Sequence, residues 1–517
     1  LVGLVILAAA APAIAQEPKD AADHAQARAA MIRRLDELVE ARIRAAGFQP
    51  APHSSDEEFL RRVYLDFTGA IPRVAEVRAF RADQNPDKRA RLIDALLDSP
   101  AHATHLANTW RNIMLPGGLN IEQIGNLVGV QNWLRQRFVE NLRYDNLVSE
   151  LLVASDGGEA GPALYYTSLD LAPEKLAAST ARIFLGLQLE CAECHDHPHD
   201  QWKQRDFWGY AAFFARLRPA EMMRPGMRAR LVDLDAGDVK LPNTEEVVLP
   251  KFPGGLSPSA VEPGTRREQL AIWMASRDNP FLPRAGVNRA WWHLFGRGLV
   301  EPVDDLSPQN RPTHPELFDE LTAYFTKVEF NLRELYRTLA NTQTYQRTSV
   351  WSSDPAPPAE LYVHMPVKTL TAEQLYDSVN RVLHRKPQSM MRNINVNSPL
   401  LDPQRQAFIA KVHSTGRNAL EYQAGVLQSL ALLNGRDLAE ATDPERSPLL
   451  GSLSAPFFTD DDRLQALFLA TLTRQPTQDE LKSCRQQLAK YQESEKQKAF
   501  SDILWALLNT AEFALNH

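Results

Sequence analysis

The residues of this chain whose types and spacing point most directly to chemistry are Cys191-Ala192-Glu193-Cys194-His195. Two thiols three positions apart, followed at once by an imidazole, have the spacing with which cysteine sulfurs add to the two vinyl groups of a haem while the histidine ligates the iron. The next residues, Asp196-His197-Pro198-His199-Asp200, add two imidazoles and two carboxylates that haem attachment does not require. Cys191, Cys194 and two of His195, His197 and His199 would also make a tetrahedral zinc site with mixed sulfur and nitrogen ligands. A Cys-x-x-Cys pair in an oxidising compartment can instead close on itself as a disulfide. From the residues alone, the motif holds a c-type haem through Cys191, Cys194 and His195, a metal with His195, His197 and His199 as its imidazole donors, or a disulfide. No sixth haem ligand is singled out, and His102, His105, His293, His314 and several methionines are all candidates. The aromatics that follow, Trp202, Phe207, Trp208, Tyr210, Phe213 and Phe214, would wall a porphyrin or, as the commoner outcome, form plain core.

Other constellations carry weaker signals. His102 and His105 lie three apart on one helical face, where they would ligate a metal or, as the commoner outcome, sit exposed without one. Asn288, Arg289, His293, Asp304 and Asp305 form the densest polar group of the second half. Pairing of Arg289 with one of the two aspartates, ordering the loop between residues 296 and 312, is the expectation there, ahead of a carboxylate pair for glycoside hydrolysis or a metal site. No Gly-x-Ser-x-Gly, His-Glu-x-x-His or dinucleotide fingerprint is present, so hydrolase and dehydrogenase readings have no motif behind them.

The elements that must position the motif are helical. Residues 20–46 carry Ala, Arg, Leu and Glu at helical spacing and stop at Gly47, and Asp56-Glu57-Glu58 opens a second helix with acids in its first turn, where the helix dipole favours them. Apolar periodicity near 3.6 continues to about residue 215. Between residues 216 and 263, Pro219, Pro225, Pro242, Pro250 and Pro253 punctuate short alternating runs that read as strands or extended linker. Helical periodicity returns at Thr265 and lasts to the C-terminus. The expected fold class is mainly α, two helical domains joined by a short extended or β-containing segment, with residues 16–220 as the domain bearing the motif, 221–263 as linker or small β insert, and 264–517 as the second domain. The run Leu60–Pro100 shares an Ile-Pro or Gln-Pro step, a glutamate four residues later and a closing Ala-Leu-Leu with Leu464–Phe513, as though one helix-turn-helix unit were used twice.

Leu1–Ala15 is apolar and ends in Ala13-Ile14-Ala15 before a polar stretch, which reads as the remnant of a signal peptide cleaved after Ala15. An exported protein, periplasmic or at the cell surface, with no integral membrane span once the leader is removed, is the expectation. With 44% hydrophobic and 23% charged residues the composition is that of an ordinary globular chain, and the net charge of −7 comes with interspersed signs, which argues against nucleic acid as a partner. Three cysteines in 517 residues do not make a disulfide framework.

The run from Arg182 through Cys191, Cys194, His195, His197 and Pro198, continuing by Gln201-Trp202-Lys203 to Trp208 and Phe213-Phe214, closely resembles the planctomycete cytochrome-like family of secreted proteins. The second half is similar to the partner domain that follows in that family, through Arg266-Arg267-Glu268, Asn279-Pro280-Phe281, Val287-Asn288-Arg289, the stretch from His293 to Asp305, His314-Pro315-Glu316-Leu317 and the ending Asp502–Asn509 with Glu512-Phe513. The resemblance implies two domains of unestablished activity and no particular reaction. Many relatives carry a separate N-terminal haem domain and a carbohydrate-binding insertion between the halves. This chain has one Cys-x-x-Cys-His and a short insert. The leading functional expectation is one c-type haem passing electrons to a redox or cell-surface partner. The rival is a surface or periplasmic binding or scaffold protein with a zinc or disulfide staple, and the third is a metal-dependent extracytoplasmic hydrolase.

Overall fold

The computed structural model describes residues 17–115, 124–155, 161–219, 230–255, 258, 264–277, 279–383, 402–412 and 442–517. The leader expected at residues 1–15 lies outside them. The fold is mainly α, with a few short strands.

The first half is a succession of helices: α1 (Glu17–Ala45), α2 (Asp56–Thr68), α3 (Val74–Ala82), α4 (Lys88–Leu97), α5 (Pro100–Met114), α6 (Ile124–Val139), α7 (Tyr144–Val153), α8 (Ala163–Thr167), α9 (Pro173–Thr180) and α10 (Gln204–Ala211). Their ends follow local chemistry. In α2 the Ser55 side chain accepts from the Glu58 N–H, three acids occupy the first turn, and Gly69 ends the helix in the left-handed region at φ 71°. Strands β1 (Leu217–Pro219) and β2 (Leu231–Asp233) pair antiparallel, as do β3 (Val239–Lys240) and β4 (Val247–Val248), inside the stretch whose prolines broke the helical pattern.

Helices resume with α11 (Arg266–Ala275), α12 (Phe281–Phe295), α13 (Pro315–Lys327), α14 (Leu332–Ala340) and α15 (Gln343–Gln346). After β5 (Lys368–Thr369) come α16 (Ala372–Val382), α17 (Pro403–Val412), α18 (Pro448–Leu453), α19 (Asp460–Leu472), α20 (Gln478–Leu488), α21 (Lys496–Leu508) and β6 (Leu515–Asn516), which pairs antiparallel with β5. The internal similarity has a structural counterpart. In both copies a helix ends in a left-handed residue, Gly69 or Thr473, a proline follows, and the next helix opens with a glutamate on its N-cap backbone N–H.

Apolar side chains from Met31 to Met365 form one continuous core across the β-containing segment. Tyr144 of α7, for instance, packs on Trp110 of α5 and on Phe325 of α13. A second core joins α16, α18, α19 and α21 to Leu65 and Ile71 at the end of α2.

Asp66 pins the two cores together. Its carboxylate, on a residue 2% exposed, accepts from Lys368 Nζ (2.6 Å), Asn516 Nδ2 (2.7 Å) and the Tyr345 hydroxyl (2.7 Å). Lys368 also donates to the Leu294 carbonyl at 2.7 Å. Burial pushes the Lys368 ammonium down from its ordinary pKa, and the Asp66 carboxylate opposes that shift. Arg61, one position from Arg62 and fully buried, donates to the carbonyls of Thr471, Phe513 and Leu515 and so closes the C-terminal elements onto α2.

Candidate functional site: the Cys-His loop

Helix α9 runs into a five-residue π turn, Ala181–Leu185, and stops at Gly186 in the left-handed region at φ 66°. The chain then buries Leu187 and Leu189 and makes a single 3₁₀ turn, Glu190–Glu193, with Ala192 fully buried beneath it. Cys191 lies within that turn and Cys194 caps its C-terminal end, and both are exposed free thiols. His195 donates from Nδ1 to the Asp196 carbonyl at 2.7 Å, which leaves Nε2 as the unprotonated nitrogen of the neutral ring.

The loop is held mainly through its backbone. Gln204, at the start of α10, donates from Nε2 to the carbonyls of Glu193 (3.1 Å) and Cys194 (2.8 Å), and Trp208 Nε1 donates to Glu193 O at 3.0 Å. The His197 N–H donates to Trp202 O at 2.8 Å, and the His199 N–H to His197 Nδ1 at 3.2 Å. Asp196 accepts the Gln204 N–H at 3.0 Å and pairs with Lys203 at 3.1 Å.

The second half of the chain buttresses this platform. The Leu306 N–H donates to Gly186 O at 2.7 Å, and its side chain packs so closely that a Cβ on Gly186 would stand 2.7 Å from Leu306 Cγ. Gly186 therefore answers both a left-handed backbone and a close approach. Gln309 donates to the His199 carbonyl, and Gln188 reaches Asp304 at 3.4 Å. Asn288 bonds the backbone of Val300 and Val303 and shapes the segment that carries these residues. Beside Cys191, burial pushes the Glu190 carboxyl up, and nearby Asp304 and Asp305 add to the shift, while Arg182, 3.7 Å away, opposes it.

Two expectations are corrected. Arg289 does not pair with Asp304 or Asp305. It is buried and donates to the carbonyls of Ile183 (3.0 Å) and Arg182 (3.3 Å). The π turn offers carbonyls there to a donor arriving from α12, and Asp304 is met instead by Gln188 and by Arg182 at 3.9 Å. His102 and His105 are not an exposed pair. His102 donates from Nδ1 to Phe67 O at 3.1 Å, and burial pushes its pKa down to about 4. His105 packs against His293, ring centroids 5.6 Å apart, and burial holds it well below the ordinary histidine value. The hydrogen bonds and ring contacts of His102, His105, His293 and His314 are made within the core, away from the Cys-His loop.

His195 and His199 are exposed and His197 half-buried. Among the described residues, no three His, Cys, Asp or Glu side chains gather into a group that would hold a metal ion. Two exposed thiols and an imidazole with an unprotonated Nε2 do fit the donor set of a thioether-linked haem. The aromatic residues after the motif are core rather than a porphyrin wall. Trp202, Phe207, Tyr210, Phe213 and Phe214 are buried, and Trp202 lies against Phe281 of α12. Gln204, Trp208, Leu306 and Gln309 were not singled out as loop supports from the sequence. Only the Lys203-x-x-Asp206 capping pattern marked the start of α10 locally, and nothing in the motif pointed to a segment more than a hundred positions away.

No described helix is long and apolar enough to cross a membrane. No curated protein and no solved structure matches the sequence. Two family models do: PSCyt2, a protein of unknown function (DUF1549), over residues 34–219, and PSD1, a protein of unknown function (DUF1553), over residues 266–416. The Cys-His loop lies in the first segment and its buttress in the second, and in that order they place the chain in the planctomycete cytochrome-like family, a PSCyt2 domain followed by its PSD1 partner domain.

Proposed function

We propose that this is an exported protein, periplasmic or at the cell surface, that carries one c-type haem on Cys191, Cys194 and His195 and passes electrons to a redox partner. The observation that carries the reading is the arrangement of the three donors. Two free, exposed thiols stand three positions apart, Cys191 within a 3₁₀ turn and Cys194 capping its C-terminal end, and the following histidine has its Nδ1 proton engaged by the backbone. Engagement of Nδ1 by a carbonyl is the usual companion of ligation through Nε2. A bound haem would supply one-electron chemistry. The chain's own part is to present the thiols and to hold His195 in one tautomer on a turn braced by Gln204 and Trp208.

The test is expression with export in a host that has a cytochrome c maturation system, followed by denaturation. Thioether bonds survive loss of the fold, so the haem chromophore should stay with the polypeptide. Replacing both cysteines with Ala should abolish it, and His195→Ala should retain pigment at reduced yield with an altered spectrum. His197→Ala and His199→Ala should leave the spectrum unchanged. Colourless wild-type protein that binds zinc and loses it on His197→Ala would overturn the haem reading in favour of the staple.

A further inference from the structure

At the seam between the two cores, the end of α2 and the starts of α5, α16 and α17 surround an open cavity of about 390 Å³. Pro100 and Ala101 from the first turn of α5, Glu373 and Gln374 from that of α16, and Asp402 and Arg405 from the start of α17 all line it. Helix N-termini carry partial positive charge and N–H groups that lack intrahelical partners. Four guanidinium groups, those of Arg73, Arg135, Arg381 and Arg405, share the lining with three carboxylates, those of Glu373, Asp377 and Asp402.

The carboxylates are already engaged. Glu373 accepts from Asn112 Nδ2 at 2.9 Å, and Asp377 takes both Nε (3.0 Å) and Nη2 (2.9 Å) of Arg405. Asp402 accepts the Gln404 and Arg405 N–H groups on one oxygen and the Tyr376 hydroxyl, at 3.3 Å, on the other. The donors are not all used. Arg405 is 1% exposed, yet its Nη1 has no hydrogen-bond partner, and the buried Nε2 of His105, which also lines the cavity, has none. A buried charged donor left unpaired is costly, and an acceptor with negative charge relieves that cost.

We propose that this cavity binds a small molecule through an oxyanion group, with Arg405 as the buried anchor and Arg135 at the exposed rim. Phosphate, sulfate and carboxylate groups share the chemistry that the guanidinium fork and the helix starts recognise. The site is separate from the Cys-His loop and does not rest on what that loop carries.

Calorimetric titration of the purified chain at low ionic strength with inorganic phosphate, inorganic sulfate and acetate tests the proposal. At least one of them should bind saturably at one site. Preference for the tetrahedral anions identifies a phosphate or sulfate group, and preference for acetate identifies a carboxylate. Arg405→Gln should weaken binding about tenfold or more, the loss of one charge-assisted hydrogen bond. Should that variant fail to fold, Arg135→Gln, at an exposed position whose Nε contacts Thr104, keeps the test open and should weaken binding several-fold. No saturable binding of any of the three anions to the folded wild-type chain, or unchanged affinity in Arg135→Gln, would overturn the proposal.

Discussion

At the Cys191–His195 loop, both thiols and the imidazole stand in solvent, and the neighbouring side chains spend their hydrogen bonds on the loop's backbone. Around Asp66 the arrangement is reversed. A carboxylate, an ammonium, a phenol and an amide meet one another away from water, and His293 donates from Nε2 to the Asp66 carbonyl at 3.0 Å. Titratable residues gather in both places, but only the first leaves reactive atoms for something outside the protein. The second joins α2 to β5, β6 and α15, elements drawn from both ends of the chain. Clusters of His, Asp and Lys therefore distinguish chemistry from architecture only once burial and partners are known.

The contrast can be broken most severely by cutting the chain. A fragment ending at residue 220 lacks Trp291, Phe295, Leu321 and Phe325, which belong to the same continuous core as Trp110, Tyr144 and Phe184. It should show no cooperative thermal transition by circular dichroism, whereas a sharp transition would mean that the first family segment holds its own core. Next in size is Asp66→Ala, which leaves Lys368 buried without its counter-charge. The expected loss is about 3 to 5 kcal/mol by denaturant unfolding, with partial recovery in the double variant that also carries Lys368→Met.

Arg289→Ala touches the boundary between the two regions, because it frees the carbonyls of Ile183 and Arg182 just ahead of the Cys-His loop. Unfolding should cost about 1 to 3 kcal/mol less than for the wild type, and amide exchange at residues 186–195 should quicken. Unchanged exchange there would separate the buttress from the loop. A smaller effect belongs to Arg474, whose guanidinium donates to Glu480 at 2.8 Å and holds that carboxyl down at about 2, from an ordinary value of 4.5. Since the folded-state pKa is depressed, the pair's contribution is present above about pH 4.5 and is lost as pH falls toward about 2. The pair is partly exposed, so Glu480→Gln should lower stability by no more than about 1 kcal/mol at neutral pH, with the difference closing in acid melts. The smallest effect is expected at the Cys-His loop. Replacing exposed Cys191 and Cys194 by Ser should move the stability of the unloaded chain by less than about 0.5 kcal/mol. A larger loss in its denaturation curve would make the loop part of the architecture.

Much of the fold was legible because its signals are local. The acids of Asp56–Glu58 mark the start of α2, and the prolines of residues 216–263 mark the stretch where β1 to β4 pair. The spacing of Cys191, Cys194 and His195 singled out the loop without any coordinates, while leaving haem, metal and disulfide open. The repeated proline and glutamate at Pro72-Glu76 and Pro476-Glu480 anticipated two helical units built alike.

What tertiary structure decided was which groups meet. Arg289 lay fifteen residues from Asp304 in sequence, but the carbonyl it bonds belongs to Ile183, and helical spacing cannot say whether His102 and His105 face water or Phe67 and His293. The partners of Asp66 lie at Tyr345, Lys368 and Asn516, and the cavity lined by Arg405 needs α2 and α5 beside α16 and α17. Helix caps, strand breaks and a Cys-x-x-Cys-His turn arise from interactions within a few residues, which the order of side chains specifies directly. Burial, and with it the state of a histidine or the cost of an unpaired guanidinium, depends on elements brought together from hundreds of positions apart, and only the packed core determines that.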